Sequence, residues 1–175
     1  MRVWSRQRGV SLIEVMMAVL IFSIGLIGLA GLMVMATRSN HAAYLRTQVV
    51  FLANTMANRM SANPAGIWNG SYNLTYPVAA AAPGCGSGSP CDPAGLASHD
   101  AQLWSTQLQT FLPNPSATIA CSGVGSAGYN PSGQLNRRPP YGGTCSMTIS
   151  WSERAAGDQT HSDSTTQTFA WEFQP

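Results

Sequence analysis

The sequence predicts an α+β fold in which one long N-terminal helix packs on an antiparallel β-sheet head. The segment from Val15 to Ala36 contains no charged residue and only one polar side chain, Ser23. Apolar residues then recur at helical spacing as far as Asn63. Near the C-terminus, large apolar residues alternate with polar ones, which is the pattern of half-buried strands.

A short cationic segment precedes the apolar run. Arg2, Arg6 and Arg8 carry no acidic neighbour, and the residues from Gly9 to Glu14 read G-V-S-L-I-E. The 22 residues of the run would form a helix of about 33 Å, enough to cross a hydrocarbon core of about 30 Å. Because cations are retained on the cytoplasmic side, the leader favours a cytoplasmic N-terminus and a single membrane pass.

Two simpler interpretations of this N-terminus fit the sequence less well. A cleaved secretory signal has a shorter apolar region and a small-residue cleavage site, whereas this run is long and is followed by T-R-S-N-H-A-A-Y. A plain signal anchor leaves Glu14 unexplained, because an acid at mid-membrane depth costs at least about 2 to 3 kcal/mol without a partner.

The leader resembles the class III signal of type IV prepilins and type II secretion pseudopilins. Gly9 and the sequence from Ser11 to Glu14 match that signal, while Val10 stands where the family usually has Phe or Met. The resemblance implies that a membrane prepilin peptidase cuts after Gly9 and that the new amine of Val10 is methylated. It also implies a leader at residues 1–9 and a transmembrane or filament-core helix at residues 10–37.

The chemistry of the motif gives Glu14 a role in subunit assembly. Cleavage creates an α-amino cation at Val10, and Glu14 lies four residues away, about one helical turn. In an apolar filament core an unpaired charge is costly, so we expect the carboxylate to pair with an amine of its own or a neighbouring subunit. Such a pair sets the axial register more than it adds stability.

Residues 38–175 are predicted to form a periplasmic head whose first part, residues 38–62, continues the helix. One face of this part carries apolar residues at spacings of three and four: Leu45, Val49, Leu52, Met56 and Met60. The helix is expected to end near Asn63 because Pro64 disfavours a helical conformation in the residue before it.

The remainder of the head is predicted to be a loop, a helix and a sheet. Residues 64–95 are rich in turn-forming residues and are expected to be irregular. A short helix is predicted at residues 96–112, capped by Ser98, with an apolar side made of Leu96, Leu103, Trp104, Leu108 and Phe111. Residues 116–175 are predicted to form an antiparallel sheet, with alternating apolar residues after Cys145 and Thr166.

Four cysteines, Cys85, Cys91, Cys121 and Cys145, allow three pairings. Disulfides are expected in a periplasmic domain, and proximity in sequence favours Cys85 with Cys91 and Cys121 with Cys145. A metal site using Cys85, Cys91 and His99 or His161 is an alternative, but the cysteine spacing is wider than in structural zinc sites. We therefore expect no cofactor.

Charge and motif content argue against other classes of function. Without the leader, six arginines face seven acids, a net charge of −1 before the termini, so no general affinity for nucleic acid is expected. The sequence lacks lysine and the common hydrolase, metalloprotease and phosphate-loop motifs, so an enzyme is not expected. The pair Arg137-Arg138 is the one basic cluster that would support DNA binding by the head.

Four segments of the head carry a second resemblance: R-M-S-A-N-P-A-G from Arg59, L-A-S-H-D-A-Q-L-W from Leu96, L-P-N-P from Leu112 and C-S-M-T-I-S-W from Cys145. In these segments the head resembles the minor pilins of the PilV type. The resemblance implies a low-abundance subunit that helps initiate pilus assembly and so affects adhesion and twitching motility. Its implied partners are minor and major pilins, prepilin peptidase and the inner-membrane assembly platform. A type II secretion pseudopilin is the alternative.

Overall fold

The computed structural model describes residues 9–79, 84–86, 88–122, 132–137, 139–154 and 164–175. In chain order the elements are α1 (Leu12–Ala62), α2 (Pro64–Trp68), β1 (Thr75–Tyr76), α3 (Pro93–Phe111), β2 (Ser116–Cys121), a 3₁₀ helix (Ser132–Arg137), β3 (Cys145–Arg154) and β4 (Ser164–Phe173). The chain divides into two compact units, Met1–His41 and Ala42–Pro175.

The first unit contains the apolar part of α1. The helix begins where the Ser11 carbonyl accepts the amides of Glu14 and Val15, at 3.1 and 3.3 Å. Its apolar side chains point outward on all sides, which is the composition of a helix surrounded by lipid or by other apolar helices. The polar hydroxyls within it are satisfied locally, since Ser23 donates to the Val19 carbonyl and Thr37 to the Val34 carbonyl.

The second unit is built around the C-terminal part of α1. Its buried face comprises Leu45, Val49, Leu52, Ala53, Met56, Ala57 and Met60. The five residues predicted for this face from their spacing are therefore confirmed. The indole of Trp104 in α3 donates to the Leu52 carbonyl at 2.9 Å, which fixes α3 against this face of α1.

The sheet has four antiparallel strands in the order β1-β2-β3-β4. Every second residue of β3 from Cys145 to Trp151 is buried, which confirms the face predicted from the alternating sequence. On β4, Phe169 and Trp171 are half-buried and Phe173 is buried, so the predicted apolar face of this strand also contacts the core. The fold class is thus an α+β, pilin-like architecture, as the sequence predicts.

The prediction for α3 was wrong in its start and in part of its buried face. The helix begins at Pro93, and the Asp92 carboxylate caps it by accepting the Gly95 amide at 2.6 Å. Ser98 lies inside the helix, where its hydroxyl donates to the Ala94 carbonyl. The sequence Asp-Pro is a strong helix start, and an aspartate before a first-turn proline caps better than a serine inside the helix.

The small residues Ala97 and Ala101 lie on the buried side of α3 with Trp104 and Leu108. Leu103 and Phe111, which were predicted to be buried, are 41% and 37% exposed. Because these side chains are small, α3 can pack closely against the core on the face that carries Ala97 and Ala101. The helix is thereby rotated relative to the orientation that side-chain size alone suggested.

The segment predicted to be irregular at residues 64–95 contains regular structure at both ends and a short strand between them. It includes α2, the two-residue strand β1 and the first turn of α3. The Asn63 side chain accepts the Gly66 amide at 3.2 Å and so caps α2, in which Pro64 occupies the first turn. Asparagine and proline, which commonly form turns, therefore start a helix here.

Candidate functional site

The proposed processing junction lies just ahead of the first helix. Gly9, Val10 and Ser11 are outside regular secondary structure and exposed, and α1 begins at Leu12. A protease active site binds its substrate in an extended form, which a residue inside a helix cannot adopt without unfolding. The bond between Gly9 and Val10 is therefore accessible without disrupting α1.

Glu14 lies in the first turn of α1, with its side chain exposed. A carboxylate is stabilised there by the unpaired amides and partial positive charge of a helix N-terminus. After Glu14, the next ionisable residue of α1 is Arg38. Glu14 is therefore the only acidic group of the apolar segment that can neutralise a cation placed among apolar helices.

The apolar surface beside Glu14 is long and almost fully exposed. Its large side chains include Leu12, Ile13, Phe22, Ile27 and Met33, each at least 65% exposed. An 18-residue window of this helix has a mean hydropathy of 2.5 and none of it is buried, so among the described residues α1 is the candidate membrane span. A surface of this size requires lipid or other apolar helices around it.

Within the head, a largely buried polar cluster joins α1, α3 and the segment between them. Arg59 in the last turn of α1 lies 2.9 Å from the carboxylate of Asp100 in α3, and Tyr72 donates its hydroxyl to the other carboxylate oxygen at 2.9 Å. The Asn63 amide donates to the Tyr72 hydroxyl at 3.1 Å and to the Pro93 carbonyl at 2.8 Å. We call Arg59, Asn63, Tyr72 and Asp100 the polar cluster.

The polar cluster was not predicted. Asp100 falls on the stripe of buried residues that also contains Ala97, Ala101 and Trp104, and a carboxylate on such a stripe requires a buried partner. The position of Asp100 on the buried stripe therefore indicated a buried polar contact. It did not identify the partner, because Arg59 lies 41 residues away in sequence. Burial, together with the nearby Asp100 carboxylate, raises the pKa of Tyr72 above its ordinary value.

Gly66 makes close packing possible beside the polar cluster. A Cβ atom on Gly66 would lie 2.5 Å from Nδ2 of Asn63 and 3.1 Å from the Pro93 carbonyl oxygen. Both atoms belong to the hydrogen bond that connects the end of α1 to the start of α3. Glycine is therefore required here for space and not for backbone conformation.

The aromatic residues at the end of α2 and in the segment after it anchor this part of the chain to the core. Tyr72 and Tyr76 are buried, and Tyr76 packs edge-on against Trp104 with ring centroids 4.8 Å apart. Trp68 packs edge-on against Tyr141 and donates its indole N–H to the Pro139 carbonyl. Tyr141 in turn donates its hydroxyl to the Ser122 carbonyl. These contacts favour anchoring over a recognition surface.

The cysteines form two disulfides, Cys85–Cys91 and Cys121–Cys145. Cys121 and Cys145 are direct partners in the register of β2 and β3, so this bond fastens the ends of two neighbouring strands. Since Cys85 and Cys91 are oxidised, they offer no thiolates for the alternative metal site. His161 and Arg138 lie outside the described residues, and the side chain of Arg137 is exposed on the 3₁₀ helix.

Comparison with known proteins identifies the N-terminus. The family known as the prokaryotic N-terminal methylation motif matches residues 4–30, which include the junction, Glu14 and much of the apolar run. No curated protein and no solved structure matches the chain. The motif implies processing by a prepilin peptidase and membrane assembly with other pilins. The match supports a leader similar to the class III leader of type IV pilins and pseudopilins at the N-terminus of this chain.

Proposed function

We propose that the protein is a minor type IV pilin that acts in pilus assembly and initiation. Prepilin peptidase cleaves it after Gly9, Val10 becomes the methylated N-terminus, and the apolar part of α1 inserts the subunit into the filament. Before assembly the protein is a single-pass protein of the inner membrane with a periplasmic head, and afterwards it belongs to the pilus. Its role is structural and not enzymatic.

The match of residues 4–30 to the N-terminal methylation motif is the observation that carries this proposal. An accessible junction at Gly9, an acid in the first turn of α1 and an exposed apolar helix surface support it. Two disulfides in the head suit an oxidising compartment, since such bonds persist outside the cytosol. The head segments that resemble PilV-type proteins favour a minor pilin over a major one.

The leader assignment is tested by the intact mass of the mature protein purified from cells. We expect the mass of residues 10–175 with two disulfides and one added methyl group. The same preparation from cells that lack prepilin peptidase should keep residues 1–9. A mature N-terminus at any residue other than Val10 would refute the assignment.

The role of Glu14 is tested by replacing it with Ala in cells that lack the wild-type copy. We expect normal processing and normal amounts in the membrane but a loss of surface pili, because the Val10 amine has no counter-ion in the apolar core. Glu172→Ala, which removes an exposed acid of the head, is the matched control and should leave pili unchanged. Normal piliation with Glu14→Ala would rule out the pairing mechanism.

Co-purification separates the pilus role from a type II secretion role. Cross-linked protein should bring down other minor pilins, whereas recovery of secretion-system components would make it a pseudopilin. DNA capture by the head is a third candidate function, and co-purification of protein partners does not test it. If the head captures DNA, replacing Arg137 and Arg138 by Ala should abolish DNA uptake. Unchanged uptake with normal pili would exclude DNA capture by this pair.

A further inference from the structure

The outer end of the apolar segment carries an arginine, Arg38, for which no side-chain partner is found among the described residues. Arg38 follows Ala36 by two residues and is the first charged residue after Glu14. No acid occurs between Glu14 and Asp92, whereas Arg38, Arg46 and Arg59 all fall in that interval. Among the described residues, Arg59 is the arginine that pairs with a carboxylate.

The position of Arg38 opposes the usual charge bias of membrane proteins. Cations are preferred on the cytoplasmic side of a span, and Arg38 lies at the opposite end from the leader arginines. From Glu14 to Arg38 the helix rises by about 36 Å, which exceeds a hydrocarbon core of about 30 Å and falls within a bilayer of about 40 to 45 Å including headgroups. With Glu14 taken at the cytoplasmic edge of the hydrocarbon core, this length brings Arg38 to the depth of the lipid phosphates of the outer leaflet.

We propose that Arg38 binds the phosphate of an anionic phospholipid at the outer end of the membrane span. A guanidinium and a phosphate form paired, charge-assisted hydrogen bonds, and Arg38 is partly exposed with no described side-chain partner. His41, three residues further on and exposed, adds an N–H donor on the same side of the helix. This contact fixes the depth of the unassembled subunit and is broken when the subunit enters a filament.

The inference rests on the membrane insertion that is part of the proposed function. It concerns only the subunit in the bilayer, so it can be tested without pili. The full mature chain is reconstituted into phosphatidylcholine bilayers that contain either spin-labelled phosphatidylglycerol or spin-labelled phosphatidylcholine. The fraction of each labelled lipid that is immobilised by the protein gives the preference for the anionic lipid.

We expect the wild-type protein to prefer phosphatidylglycerol, with about a fivefold contribution from Arg38, the amount expected for one arginine at a membrane surface. Arg38→Gln should remove that contribution, and Arg38→Lys should retain most of it. Arg46→Gln is the matched control, because Arg46 is exposed and lies eight residues further from the span. It should leave the preference unchanged.

Two results would overturn the inference while leaving the proposed function intact. One is a protein that inserts into the bilayer but shows the same lipid preference with Arg38→Gln as with the native arginine. The other is an equal loss from Arg38→Gln and Arg46→Gln, which would indicate general basicity. A protein that an alkaline wash removes from the bilayer would contradict both the inference and the proposed function.

Discussion

The guanidinium of Arg59 and the carboxylate of Asp100 lie 2.9 Å apart, and only 8% of the Asp100 side chain is exposed. This ion pair connects the last turn of α1 to α3, and the same carboxylate also accepts a hydrogen bond from Tyr72. A largely buried ion pair of this kind, with 28% of the Arg59 side chain exposed, contributes less net stability than its distance suggests, but removing only one partner is costly. The connection between the two helices therefore depends on both partners.

Asp100→Ala should lower the free energy of unfolding by about 3 kcal/mol, because it leaves the Arg59 charge without its counter-ion. The measurement is urea unfolding of the full chain in detergent, followed by tryptophan fluorescence. Glu172→Ala removes an exposed acid and should change the free energy by less than about 0.5 kcal/mol. Equal effects of the two substitutions would show that the ion pair does not hold α3.

Gly66→Ala should destabilise the head by about 1 to 3 kcal/mol, the usual cost of inserting a methyl group into a closely packed site. The new methyl group would meet Nδ2 of Asn63 at 2.5 Å, and that amide cannot move without losing its hydrogen bonds to Tyr72 and Pro93. Gly142→Ala is the control, since no atom lies within 4 Å of its added Cβ. A thermal melt of each variant gives the comparison.

Stability should fall at alkaline pH because burial raises the pKa of Tyr72 in the folded state above its ordinary value of 10.0. The unfolded chain then loses the proton first, so stability is full below pH 10 and declines as the pH rises above that value. Burial raises the pKa of Tyr76 in the same direction.

The test is the slope of the unfolding free energy between pH 10 and pH 11. Tyr72→Phe should reduce this slope by up to about 1.4 kcal/mol per pH unit, the contribution of one proton. Tyr44→Phe is the control, because Tyr44 is 51% exposed. An unchanged slope in Tyr72→Phe would mean that this hydroxyl is not buried in the folded state.

The two disulfides should differ in what they contribute to stability. Cys121–Cys145 spans 24 residues and Cys85–Cys91 spans 6. Loop-closure entropy gives about 3.5 kcal/mol for the longer loop and about 2 kcal/mol for the shorter one. Urea unfolding of the Cys121→Ala/Cys145→Ala and Cys85→Ala/Cys91→Ala double variants measures this order. The reverse order would show that strand pairing already holds β2 to β3 without the bond.

The parts of the fold that could be predicted were those with a strong local period. The face of α1 that contains Leu52 and Met56 and the face of β3 that contains Met147 and Ile149 both follow from spacing alone. Both faces belong to the hydrophobic core, so any packing that covers them preserves the pattern.

The parts that were missed depend on contacts between distant residues. The orientation of α3 follows from Ala97 and Ala101 packing closely, while Leu103 was favoured by its size. The pairing of Asp100 with Arg59 requires α1 and α3 to be adjacent, which no local pattern specifies. In the N-terminal region the match at residues 4–30 supports the leader, while the roles of Val10 and Glu14 stay predictions.

The polar cluster and Gly66 also limit which amino-acid substitutions this head can accept during evolution. A substitution at Arg59, Asn63, Tyr72 or Asp100 leaves the remaining members with unmatched hydrogen bonds, so we expect a single change to require a second, compensating one. We expect related heads to inherit these positions as a block, with arginine, asparagine and glycine at the spacing of residues 59, 63 and 66. The motif match ends at residue 30 and carries no information about the head, whereas that block would trace the lineage of this particular head.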